Sequence, residues 1–190
     1  MKRLTSFAVG IGLVALVFNT ACAAEVLPPG QVDFGKFSPP GSGGEFVEVN
    51  LTSNLIGLAA KLIEKQEPDV ASILGGLKLV KVNVVGLNDE NRGDLQKRTQ
   101  RIRKELDSKG WERIVTAQKD SQDVGVYLKS KNKDTLQGIV VTVMDGDKQA
   151  VFINIVGDIT PEQLAMVGEK LHIDPLKNAA SAIQKPEQTK

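Results

Sequence analysis

The stretch TLQGIVVTVMDGDKQAVFINIVGDITPEQLAMVGEKL, residues 135–171, decides the fold. Two apolar runs, residues 139–144 and 150–156, flank Asp145, Gly146, Asp147 and Lys148. Glycine beside aspartate supplies the positive φ of a tight turn, so the pattern reads strand, turn, strand. A two-residue loop of Gly146 and Asp147, or a four-residue loop from Asp145 to Lys148, gives one register. Val141 then faces Phe152, Val140 faces Ile153, and Asp145 faces Lys148 as a favourable cross-strand pair. Residues 139–143 are apolar on both faces apart from Thr142, the mark of a central strand covered on both sides. Thr160 suits the N-cap of a following helix, Pro161 its first turn, and Gln163 completes a capping box. Leu164, Val167 and Leu171 recur on one stripe of that helix.

Upstream, residues 45–51 alternate, with Phe46, Val47, Val49 and Leu51 among polar neighbours, and predict the first strand. Thr52 or Ser53 caps a helix whose buried face is read as Leu55, Ile56, Ala59, Leu62 and Ile63. Pro68 closes that helix and opens a short second one over 69–74, stopped by Gly75 and Gly76. Residues 77–87 form a Val-rich strand. Residues 89–109 form the longest helix, with Leu95, Ile102 and Leu106 on a narrow stripe and Gly110 as its C-cap. Two more strands, 111–118 and 124–129, are joined by a polar turn, and residues 130–134 lead into the hairpin. The order β-α-α-β-α-β-β-β-β-α, with four consecutive strands, predicts an α+β fold: a mostly antiparallel sheet with helices packed on it.

At 190 residues the chain has room for one domain with a real core. Lys2 and Arg3, the apolar residues 7–18 and the small residues Thr20 to Ala24 predict a signal peptide over 1–23, too short to span a bilayer comfortably. The chain is therefore expected to be exported, most simply to a bacterial periplasm. Cleavage after Ala23 leaves a free protein; lipidation of Cys22 would instead leave a membrane-anchored lipoprotein, with Asn19 standing where that motif usually has an aliphatic residue. Residues 24–44, with two Pro-Pro-Gly triplets, read as a linker, whose Val32, Phe34 and Phe37 can tuck against the domain or dock elsewhere. Residues 45–174 read as the single domain and 175–190 as a polar C-terminal tail.

Removing residues 1–23 removes Lys2 and Arg3 and no acid, taking the formal charge from +1 to −1. Neither that balance nor an aromatic content of 4% supports nucleic-acid binding. Cys22 is the only cysteine, so the exported domain has no disulfide, thiol nucleophile or cysteine-held metal. His172, the only histidine, sits at a helix end where positive charge is favourable and has no nucleophile to serve. Asp145 and Asp147 lack the other ligands of a calcium loop. The sharpest charge feature is the face of the long helix bearing Lys97, Arg98, Arg101 and Lys104. It suits an anionic partner or lipid headgroups, or simply solvent with intrahelical partners such as Glu105. Asn154, inside an apolar strand, either faces solvent or is a buried amide with a backbone partner.

Four blocks carry a resemblance. They are Gly75-Gly76-Leu77 before a Val-rich strand, Gly110-Trp111-Glu112-Arg113 after the long helix, Val126-Tyr127-Leu128, and VFINIVGDI at 151–159. Together, and in their spacing, they resemble the bacterial domain-of-unknown-function family numbered 4252 from about Val32 to Ile173. The resemblance implies an exported protein, sometimes lipid-anchored, and transfers no catalytic residue. The expectation is thus a non-catalytic binding or adaptor module of the cell envelope, with no cofactor and with an envelope protein or small ligand as partner. Membrane association would come only through a lipid at Cys22. Alternatives are a carrier of a small apolar or anionic ligand, suggested by the Val- and Ile-rich strands, and a carboxylate-dependent hydrolase.

Overall fold

The computed structural model describes residues 27–41, 43–119, 121–160, 162–163 and 166. Nine elements follow in chain order: β1 (Phe46–Thr52), α1 (Ser53–Ile63), α2 (Pro68–Gly76), β2 (Leu77–Gly86), α3 (Arg92–Ser108), β3 (Glu112–Lys119), β4 (Gln122–Asn132), β5 (Thr135–Asp145) and β6 (Gln149–Ile159). The strands form one sheet in the order β1-β2-β6-β5-β4-β3, every neighbouring pair antiparallel. The fold is α+β, and the central hairpin β5–β6 lies in the middle of the sheet, as its two-faced apolar pattern requires. Of the helix expected after β6, the start lies among the described residues. There Thr160 N–H donates to Gln163 Oε1 at 3.0 Å and Gln163 N–H donates to Thr160 Oγ1 at 3.3 Å, the reciprocal capping box. Leu164, Val167, Leu171, His172 and the tail lie outside the described residues, as do residues 1–26 with Cys22.

The hairpin register differs from expectation by one residue. Asp145 pairs with Gln149, Val141 with Ile153 and Thr142 with Phe152. The loop is three residues long: Gly146 takes φ +53°, and Lys148 N–H donates to the Asp145 carbonyl at 2.8 Å. The Asp145–Lys148 cross-strand pair is therefore not formed. Because side chains alternate between faces, a slip of one exchanges the face of every β6 residue relative to β5. Phe152 joins Val140, Thr142 and Met144 on one face, while Ile153 joins Val141 and Val143 on the other.

The Phe152 face carries the larger buried cluster. α3 leaves β2, second in the sheet, and crosses to β3 at the far edge, laying Leu95, Thr99, Ile102 and Leu106 on this face. These positions recur at helical spacing, which is why one stripe of an otherwise polar helix is buried. Asn88 and Asn91 close its start, each side-chain carbonyl accepting from the other's backbone N–H at 2.9 Å. At its end Gly110 takes φ +71° and Trp111 N–H reaches back to the Leu106 carbonyl at 3.1 Å, as expected of a glycine after a helix. The opposite face is lined by Val, Ile and Leu, among them Val126, Ile139 and Val141, all buried.

The segment before β1 is packed rather than free. Val32 and Phe34 are buried within the same cluster as Phe152, and the Phe34 and Phe37 rings lie 5.8 and 5.0 Å from the Phe152 ring. Gly30 (φ +85°) meets Gly138 of β5 so closely that a Cβ on Gly138 would lie 2.7 Å from the Gly30 Cα and from the Trp111 ring. Residues that composition marks as linker thus close one side of the core.

α1 corrects a second expectation. Ile56 is buried, but Leu55, Leu58 and Leu62 are 53%, 57% and 73% exposed, and Ala59 is exposed as well. α1 meets α2, β2 and β1, with Ile56 as its one buried residue. Leu55, Ala59 and Leu62, which periodicity assigns to the core, therefore face outward, together with Leu58.

Candidate functional site

The four basic positions of α3 occupy different settings. Arg98 Nη1 donates to the Lys36 carbonyl at 2.7 Å and its guanidinium lies 4.5 Å from the centre of the Phe37 ring. Burial under this segment, and then the charge of Arg101, pull the Arg98 guanidinium below its ordinary value. The arginine is therefore an arm-holding residue: a cation on an aromatic face, hydrogen-bonded to backbone. Lys97, Arg101 and Lys104 are exposed, with Asp94 3.9 Å from Lys97. A groove of about 300 Å³ lies beside Arg98, between the arm at Phe37 and Pro40 and the α3 start at Asn88 and Asn91.

The polar residue of α3 most engaged with the sheet is Arg103, which the charge pattern does not single out. Its Nη1 donates to Asp123 Oδ2 at 2.7 Å, and its Nε and Nη2 donate to Thr142 Oγ1 at 3.2 and 3.1 Å. Gly125 leaves the room: a Cβ there would stand 3.1 Å from Thr142 Oγ1 and 3.2 Å from Arg103 Nε. A buried threonine in the middle of an apolar strand was the available signal, since a hydroxyl at that place needs a partner. Tyr127, fully buried beside this network, has Arg113 5.1 Å over its ring, and burial raises its phenol above the ordinary value.

Asn154 is a buried amide with three backbone partners. Its Oδ1 accepts from Val32 N–H at 2.9 Å, and its Nδ2 donates to the carbonyls of Gly30 at 3.0 Å and Ile139 at 3.2 Å. The carboxylates are dispersed. Asp147 pairs with Arg92, and Asp158 accepts from Lys131 at 2.8 Å and Lys78 at 2.9 Å, which hold it below the usual carboxylate range. Among the described residues no three His, Cys, Asp or Glu side chains gather to hold a metal ion, and no helix is long and apolar enough to cross a membrane.

What stands out chemically is apolar. Leu55, Leu58 and Leu62 of α1 are exposed, and in the preceding strand Val47 and Leu51 are each 39% exposed. Between α1 and α2 lies a largely apolar groove of about 440 Å³ lined by Gly57, Ala60, Pro68, Ala71 and Gly75. Periodicity marks Leu55 and Leu62 but assigns them inward, and it passes over Leu58.

The model of the domain of unknown function DUF4252 matches residues 43–167, well over half of the chain. The chain belongs to that family, as the blocks at 75–77, 110–113, 126–128 and 151–159 led us to expect. No curated protein and no solved structure matches it.

Proposed function

We propose that this member of the DUF4252 family is an exported, non-catalytic binding module of the bacterial envelope that engages another envelope protein through α1. One observation carries the reading: Leu55, Leu58 and Leu62 stand at i, i+3 and i+7 on the outer side of a helix, all more than half exposed. That spacing is how an amphipathic helix presents anchors to an apolar groove. Isolated exposed leucines are ordinary, but three on one side of a helix, with Val47 and Leu51 of the preceding strand exposed as well, support an interaction surface. A protein groove suits it better than a lipid surface, since Lys61 is the only charged residue of α1 and interfacial helices carry a strongly basic polar face.

The test is site-specific photo-crosslinking in intact cells. A photoreactive residue in place of Leu58 gives one discrete light-dependent adduct, which the added exposed-site change Leu62→Glu abolishes. Absence of an adduct, or an equal adduct from position 97 on α3, removes the reading. The intact mass of the envelope-derived chain distinguishes cleavage after Ala23 from acylation at Cys22.

A second reading, a carrier of a small apolar ligand, is favoured by the groove between α1 and α2, whose walls are mainly glycine, alanine and proline. Native mass spectrometry checks it: a carrier retains a lipid-sized mass, whereas an unchanged apo mass with lipids offered counts against it.

A further inference from the structure

The two edges of the sheet are built differently. β3 is broken by a bulge between Arg113 and Val115 and carries Glu112, Arg113 and Lys119. Bulges and charges are the usual devices that keep an edge from pairing. β1 has no bulge and little charge. Its register with β2 is unbroken from Phe46 to Thr52, it lacks proline and lysine, and Glu48 is its single charge.

The outward backbone groups of β1 can be assigned. Gly86 N–H donates to the Glu45 carbonyl at 2.7 Å, making Glu45 and Gly86 a hydrogen-bonded pair. Such pairs alternate along an antiparallel ladder, so Val47, Val49 and Leu51 turn their backbone groups into β2. Phe46, Glu48, Asn50 and Thr52 turn theirs outward, away from the sheet.

We propose that β1 pairs antiparallel with β1 of a second copy, about a two-fold axis at Val49, joining two sheets into one. This is the register of greatest overlap for a strand running from Phe46 to Thr52, and it also places outward residues opposite outward residues. Phe46 faces Thr52 of the second copy, and Glu48 faces Asn50. On the other side of the pleat Val47 faces Leu51, so the two most exposed apolar side chains of β1 cover each other. Moving the axis to Glu48 would set the two Glu48 carboxylates against each other and leave two residues unpaired. The strand is therefore complementary to itself in charge and in shape, as an isologous contact requires. This contact uses β1 and does not rest on the α1 reading.

Sedimentation equilibrium of the purified chain tests the proposal. The native chain shows a concentration-dependent dimer. Asn50→Glu sets two carboxylate pairs across the axis and weakens the dimer roughly 2- to 30-fold, taking each pair at cross-strand strength. Lys81 lies opposite Asn50 in β2, so the variant retains a favourable neighbour within the monomer and its fold. Adding Glu48→Lys to Asn50→Glu turns both pairs attractive and restores the dimer. A chain monomeric at every concentration overturns the proposal. So does a dimer indifferent to Asn50→Glu, or one lost through Leu58→Glu instead. Failure of the double variant to restore association overturns the register. The light-dependent adduct at position 58 is unaffected by Asn50→Glu, which separates this contact from that of α1.

Discussion

The side-chain carbonyl of Asn154 accepts the backbone N–H of Val32 at 2.9 Å, across 122 positions of sequence. With the amide bonds to Gly30 and Ile139, one buried side chain joins the segment before β1 to the middle of the sheet. The side chain thereby bonds the Val32 N–H and the Gly30 carbonyl at the core, and groups of that kind left unpaired are costly in a low-dielectric interior.

Asn154→Leu is accordingly expected to destabilise the domain by about 3 kcal/mol, since it leaves buried N–H and C=O groups unpaired. Urea denaturation measures the loss. Limited proteolysis gives the second readout: cleavage within residues 27–41 accelerates more than cleavage within β4 or β5. Equal acceleration everywhere would mean that Asn154 does not hold the arm in particular.

Gly138→Ala strikes the same junction by crowding. The added methyl would sit 2.7 Å from both Gly30 and Trp111, nearer than carbon atoms pack. Overpacking of this kind costs roughly 1–3 kcal/mol. The thermal midpoint falls, and the fluorescence of Trp111, the single tryptophan, shifts as the arm is displaced. An unchanged midpoint would show that the approach is not tight.

Arg103 and Lys104, adjacent in sequence, are expected to behave oppositely. Arg103 is largely covered and bonded to Asp123 and Thr142, so Arg103→Met strands a partly buried carboxylate and costs roughly 2–4 kcal/mol, somewhat below a fully buried pair. Lys104→Ala, at an exposed position, stays within about 0.5 kcal/mol of the native chain. Similar losses from the two would contradict the assignment of Arg103 as the anchoring cation of α3.

Tyr127 gives the pH dependence. Burial raises its phenol above the unfolded value of about 10. Between the unfolded and folded values the native state binds the extra proton, so stability is full below about pH 10 and falls as pH rises through the folded value. Tyr127→Phe removes this alkaline loss. Near neutrality it costs little, because the hydroxyl finds no hydrogen-bond partner among the described residues. Alkaline denaturation curves that superimpose for the two proteins would exclude Tyr127 as the titrating group.

Much of the sheet was legible from local pattern. Alternation in residues 45–51, the Val-rich run at 77–87 and the hairpin around Gly146 placed strands that the tertiary fold retains. The capping box at Thr160 and Gln163 and the glycine end of α3 were readable too, because caps are bonds between residues a few positions apart. The register of β5 against β6 was not. Two- and four-residue loops both give one pairing, and the three-residue loop that forms gives the other; Phe152 packs against Phe34 and Phe37, more than a hundred residues earlier.

The same division separates the candidate surfaces. Sequence by itself determined the class of fold and the order of the elements from β1 to β6, because periodicity and turn chemistry are short-range. Only the tertiary structure decided that Leu55, Leu58 and Leu62 face outward, that Arg98 holds the arm, and that Asn154 and Arg103 are bonded inside. Which side of a helix is covered, and which polar group finds a partner, depends on what the rest of the chain brings alongside, and no local window of sequence contains those neighbours.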